Sequence, residues 1–220
     1  MLGLVGPNGS GKSSLLRCLA GLRKPEGGAV RYDGVDIKDW GSPRIARQLA
    51  FVDQYAISES DLLVADVVEL GRTPFRATWR GHDHRDAAIV NGALERMGLN
   101  DLRARAWNTL SGGECQRTHI ARALAQEPSA ILLDEPTNHL DIRHQLDLMR
   151  LLAKAEWTAV VVLHDLSLAV RFCDQLALMN HGTVVAAGSP SDVLTPDRVR
   201  EVFGVEVEVG PEVPPSGRTL

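Results

Sequence analysis

The sequence predicts an α/β fold built on a mostly parallel sheet, with a small antiparallel β part and a helical insertion. Three observations carry this expectation. Short, nearly continuous apolar runs, such as Ala130 to Leu133 and Ala159 to Leu163, have the composition of strands buried on both faces. Segments of helical periodicity separate those runs, as a βαβ arrangement requires. From about Ser58 to Gln126 the alternation stops, and only helical patterns remain.

In chain order, Met1 to Val5 reads as a short buried strand leading into a Gly-rich turn. A helix follows with Leu15, Leu16, Leu19 and Leu22 at helical spacing, ended by Gly21 and Pro25. Ala29 to Tyr32 and Val35 to Ile37 flank Asp33-Gly34, a pair suited to the positive φ values of a tight hairpin. Ser42 is expected to cap a second helix with Pro43 in its first turn, and Leu49 to Val52 is the next strand. The insertion carries helical patterns over Leu62 to Leu70 and Ala87 to Met97, the latter stopped by Gly98, then Gln116 to Ala125. After Pro128 come strand 130–133, a helix over 142–155, strand 159–163, a short helix over 166–172 and strand 175–179. The expected organisation is one domain over 1–209, with a core of 1–57 and 127–209, a helical subdomain of 58–126, and a flexible tail at 210–220.

Composition narrows the function classes. The chain has 220 residues, a net charge of −4, 44% hydrophobic and 24% charged residues. That is the profile of a globular protein able to bury roughly three quarters of its unfolded surface. Cys18, Cys115 and Cys173 form no CxxC or Cys/His cluster, which fits a reducing cytosol better than a disulfide framework or a zinc site. No apolar run approaches the ~20 residues needed to cross a bilayer, so no direct membrane insertion is expected. No signal peptide is expected ahead of Gly6. The slight acidity gives no chain-wide attraction for nucleic acid or anionic lipid.

The chemistry is concentrated in four motifs. Gly6-Pro7-Asn8-Gly9-Ser10-Gly11-Lys12-Ser13 matches G-x-x-x-x-G-K-[ST] between a strand and a helix, the setting of a phosphate-binding P-loop. Its glycines let successive backbone N–H groups converge on phosphate oxygens, and the helix N-terminus adds positive potential. Lys12 is expected to reach the β/γ-phosphates, and Ser13 to bind Mg²⁺. Asp134 and Glu135 follow a buried apolar strand, where adjacent acids are costly without a cation. A magnesium nucleotide supplies it, with Asp134 on the metal side and Glu135 polarising an attacking water. His164 ends the next strand at the same sheet edge, placing it to hold the water or the phosphate. Ser111-Gly112-Gly113-Glu114 reads either as a second phosphate-facing helix start or as an ordinary capping box. The first alternative requires both glycine-rich segments to meet within one chain, or two chains to meet head to tail.

Together these residues resemble the ATP-binding cassette ATPases. Walker A is Gly6 to Ser13, the Q-loop glutamine is Gln54, and the signature is Leu110 to Glu114 followed by Gln116 and Arg117. Walker B is Ile131 to Asp134 with Glu135 after it, the D-loop is Asn138-His139-Leu140-Asp141, and the switch histidine is His164. The resemblance implies a P-loop NTPase core. It assigns catalysis to Glu135, His164, Gln54 and Lys12, and ATP binding to residues 6–13, Ser14, Ser111, Gly112 and Gly113. Mg²⁺ falls to Ser13, Gln54 and Asp134. It also implies a head-to-tail homodimer, with Ser111 of one subunit on the γ-phosphate held by Lys12 of the other. Integral membrane permease subunits would be contacted through the Gln54 region, placing the chain on the inner face of the plasma membrane.

The segments Val67 to Pro74, Asn138 to Gln145 and Val202 to Val205 look like the importer ATPases for iron–siderophore, haem or cobalamin. Asp53 before Gln54, where many members have proline, and Cys115 are departures that remove no catalytic group. Family members usually carry two or three strands before Walker A, with an aromatic that stacks on adenine. Five residues precede it here, so N-terminal strands are expected to be missing. Two other readings stand beside the importer: a soluble cassette ATPase acting on nucleic acid or the ribosome, and a truncated inactive cassette.

Overall fold

The computed structural model describes residues 1–53, 62–76 and 84–206. Gln54, parts of the helical insertion and the 210–220 tail lie outside the described residues.

The elements are β1 (Leu2–Val5), α1 (Lys12–Leu19), β2 (Arg31–Tyr32), β3 (Val35–Asp36), α2 (Ser42–Gln48) and β4 (Leu49–Val52). The insertion supplies α3 (Val64–Glu69), α4 (His84–Arg96) and α5 (Gly112–Ala125). Then come β5 (Ala130–Asp134), α6 (Ile142–Lys154), β6 (Thr158–Val162), α7 (Leu166–Phe172), β7 (Gln175–Asn180), β8 (Thr183–Gly188), α8 (Pro190–Val193) and α9 (Pro196–Phe203).

Six strands form one sheet in the order β4-β5-β6-β1-β7-β8, all parallel except β8, which runs antiparallel to β7. A separate hairpin joins β2 and β3. Its turn has Asp33 at φ 50° and Gly34 at φ 79°, as the Asp-Gly pair predicts.

Apart from the edge strand β8 the sheet is buried on both faces, which is why those strands read as unbroken apolar runs. Ile131 and Leu133 of β5 and Ala159 and Val161 of β6 enter one apolar cluster, together with Val64, Val68, Leu94 and Ile120 of the helical insertion. Leu132, Val160 and Val162 enter the other, with Leu16 of α1 and Ile37 after the hairpin. A continuous core thus ties α3 to α5 to one face of the sheet.

One expectation changes, and three elements had none. Ser42 is the first residue of α2 and Gly41 the cap, with no side-chain capping bond, so proline in the first turn does the initiating. β8, α8 and α9 follow Met179 without a matching sequence expectation. β8 is an edge strand with little alternation in burial, and α8 is one turn started by Ser189 and Pro190.

Candidate nucleotide site

Parallel strands deliver their C-terminal ends to one edge. Leu4 of β1 and Asp134 of β5 both pair with Val162 of β6, so the residues that follow each strand emerge side by side. After β1 the chain turns through Gly6 (φ 148°), Gly9 (φ 75°) and Gly11 (φ 98°) into α1. A Cβ on Gly6 would stand 2.1 Å from the Met179 carbonyl oxygen of β7, so only glycine lets the loop lie this close to the sheet.

Lys12 begins α1 and is 5% exposed. Its Nζ donates to the Gly6 and Pro7 carbonyls at 2.8 and 2.9 Å, folding the ammonium beneath the loop. Burial lowers its pKa, while the carboxylates of Glu135 and Asp134 push the other way. The Ser10 hydroxyl is buried under the loop, whereas Asn8 and Gly9 on the loop and Ser14 on α1 are exposed.

Ser13 Oγ donates to Asp134 Oδ1 at 3.1 Å. Asp134 is 1% exposed at the end of β5. Burial raises its pKa, the Ser13 hydrogen bond opposes this, and the charges of Glu135 and Asp53 add to it. A buried carboxylate beside a hydroxyl is an oxygen donor set that fits Mg²⁺. Asp53 is in turn approached by Arg17 Nη2 of α1 at 3.3 Å.

Glu135 follows with φ 51°, a left-handed conformation disfavoured for a side chain of its size. Its Oε1 stands 2.5 Å from His164 Nε2, and its Oε2 accepts from Asn138 Nδ2 at 2.7 Å. Both oxygens are therefore held. Asn138 is a partner that spacing alone did not assign. Asn8, Gly9, Gly11, Lys12, Ser13, Ser14, Glu135 and His164 line one depression of about 430 Å³.

Ser111 to Glu114 lie elsewhere. Ser111 caps α5, its Oγ accepting from Glu114 N at 3.3 Å while the Glu114 carboxylate accepts from Ser111 N at 2.7 Å. The capping box is thus formed, and these hydrogen bonds hold the Glu114 carboxyl below its usual range. Ser111, Gly112 and Gly113 line a second depression of about 520 Å³, with His139, Asp141 and His144 among its walls and no residue of the P-loop. A single chain does not bring Ser111 to Lys12.

Comparison with known proteins follows the same lines. Residues 1–138 match the family model described as ABC transporter. The cobalamin import ATP-binding protein BtuD of Halobacterium salinarum is 45% identical over 214 residues, covering 96% of this chain and 53% of that protein. The chain therefore spans about half the length of that relative. The hemin import ATP-binding protein HmuV of Pseudomonas entomophila is 43% identical over 228 residues, covering 100% of this chain and 88% of that protein. Among solved structures, the ATP-binding cassette MJ0796, a dimer in a post-hydrolysis state bound to ADP and Pi, superposes with a TM-score of 0.75 at 31% identity. The match covers 86% of this chain and 85% of that one.

Proposed function

This chain belongs to the ABC transporter family, and from that premise we propose that it is the ATP-hydrolysing subunit of an importer for a cobalamin, haem or iron–siderophore type of solute. The observation that carries the reading is the depression in which Lys12, Ser13, Glu135 and His164 meet. The solute class rests on the names of the relatives and on the importer-like segments.

In this reading the loop N–H groups and the start of α1 receive phosphate oxygens, and Lys12 turns its ammonium from the Gly6 and Pro7 carbonyls to the β/γ-phosphates. Ser13, Asp134 and Gln54 would hold Mg²⁺, whose charge would offset that of the phosphates. Glu135 is the base that polarises the attacking water, and His164 orients that water through hydrogen bonds. Asn138 fixes the second carboxylate oxygen, so Glu135 keeps one orientation.

The separation of the two depressions supports a head-to-tail homodimer, in which Ser111 to Gly113 of a second copy close over the P-loop. The Gln54 region is where membrane permease subunits would attach, which places the chain on the inner face of the membrane. Among the described residues no helix is long and apolar enough to cross it.

The test is Glu135→Gln. The variant is expected to bind ATP and form an ATP-dependent dimer by light scattering, with turnover reduced by about 100-fold or more, the usual contribution of a general base. Turnover equal to the unaltered protein would remove Glu135 from its role.

A further inference from the structure

Between α5 and α6, three side chains form a connected line. Asp141 caps α6, its Oδ1 accepting from His144 N at 2.9 Å, and the same oxygen lies 2.8 Å from His144 Nδ1. The other ring nitrogen, Nε2, contacts Arg117 Nη1 of α5. A guanidinium has donors only and a carboxylate acceptors only. The ring is therefore polarised: Nδ1 carries the hydrogen and donates to Asp141, and Nε2 accepts from Arg117. Among the described residues His144 is the hydrogen-bond partner of Arg117, whose Nε is buried without one.

This line ties down the loop between β5 and α6. Gln145, next in sequence, donates through Nε2 to the Thr137 and Leu140 carbonyls, both at 3.1 Å. His139 sits at φ 64°, and its carbonyl oxygen lies 2.9 Å from where a Cβ on Gly113 would be. At the loop's start Asn138 holds Glu135. The signature helix and the Glu135 carboxylate thus lie at the two ends of one short stretch of chain, tied by the hydrogen bonds of His144, Gln145 and Asn138 and by the backbone between them.

We propose that His144 is a positioning residue for ATP hydrolysis. By bridging Arg117 to Asp141 it fixes loop 137–141 against α5, and through Asn138 it fixes the Glu135 carboxylate of its own subunit. The inference rests on the proposed function. The bridge lies in the depression lined by Ser111 to Gly113.

Two measurements test it on the 220-residue chain. Long-range ¹H–¹⁵N spectra of the imidazoles, with His144 assigned by its disappearance in His144→Gln, are expected to show the Nδ1–H tautomer. An Nε2–H tautomer or a ring protonated on both nitrogens overturns the bridge. In steady-state ATPase assays, His144→Phe keeps a ring but no hydrogen bonds, and is expected to lower kcat by about tenfold with KM for ATP within about twofold. His144→Gln, which retains a donor and an acceptor, is expected to recover most of the loss. A His144→Phe variant with unaltered kcat, or a His144→Gln variant as slow as His144→Phe, overturns the positioning role. Absence of ATPase activity in the unaltered chain would instead count against the proposed function, and the tautomer would still decide the bridge.

Discussion

Arg72 offers the sharpest test of what holds the helices of the insertion to one another. Its side chain is 4% exposed, donating through Nε to Asp86 Oδ1 of α4 at 2.8 Å and through Nη1 to the Ala125 carbonyl at the end of α5 at 2.9 Å. Nη1 also reaches Glu127 Oε2 at 3.1 Å, and the guanidinium lies 4.2 Å from the Phe75 ring centroid. Arg72→Met keeps most of the stem volume and removes every donor. Removing one partner of a buried ion pair costs ~3–5 kcal/mol, and Asp86 at 14% exposure recovers some hydration, which favours the lower figure. An unsatisfied Ala125 carbonyl adds ~1 kcal/mol, while the half-exposed Glu127 adds little. The expected loss is ~4 kcal/mol, a large part of the ~5–15 kcal/mol that stabilises an ordinary domain. Urea unfolding followed by circular dichroism measures it, and Tm is expected to fall by ~8–16 °C. In a double-mutant cycle, Arg72→Met and Asp86→Ala should couple by ~1–3 kcal/mol. A loss below ~1 kcal/mol at unchanged m-value, or no coupling, would refute the view that this arginine bolts α4 and α5 together.

Two further outcomes are expected. Lys12→Ala removes a charge-assisted donor worth ~2 kcal/mol, so affinity for a fluorescent ATP analogue should drop by about 30-fold, and unchanged affinity would contradict the loop assignment. Asp134 has a folded-state pKa above the ordinary value of 3.8, so the folded state retains its proton longer than the unfolded chain. That contribution is present below the ordinary pKa and is lost as pH rises through the raised one. Asp134→Asn should therefore raise nucleotide-free stability at neutral pH, with the gain fading toward pH 4, while weakening magnesium-dependent nucleotide binding. A variant less stable than the unaltered chain at pH 7 would invert the sign and sink the argument.

The parts of the fold legible in the sequence are those whose cause is local. β5, β6 and β7 bury both faces, so each leaves an unbroken apolar run. The hairpin is written in Asp33-Gly34, and α5 in the Ser111-to-Glu114 capping box. β8 escaped because an edge strand with one partner need not alternate. The candidate site motifs could be picked out because each is a short contiguous stretch of the residue types that the proposed phosphate chemistry asks for. Partnerships across the chain left no such trace. Arg72 and the Ala125 carbonyl are 53 positions apart, Arg17 and Asp53 are 36, and Arg117 and His144 are 27. Only folding reveals that Arg117 ends at the ring of His144.

The position of β1 bears on the order of assembly. Its neighbours in the sheet are β6 and β7, so Leu2 to Val5 find their hydrogen-bond partners only at residues 160–162 and 175–178. Pairing of such remote segments is slow, because a large loop must close before any contact rewards it. During synthesis at ~5–20 residues per second, the strand that carries the phosphate loop waits ~10–30 s for its first partner. Among the elements described, the part that would grip ATP is made first and finished among the last. Nucleotide added during refolding should then bind late, after the β6 and β7 segments have joined the sheet, and should report on completion of the molecule.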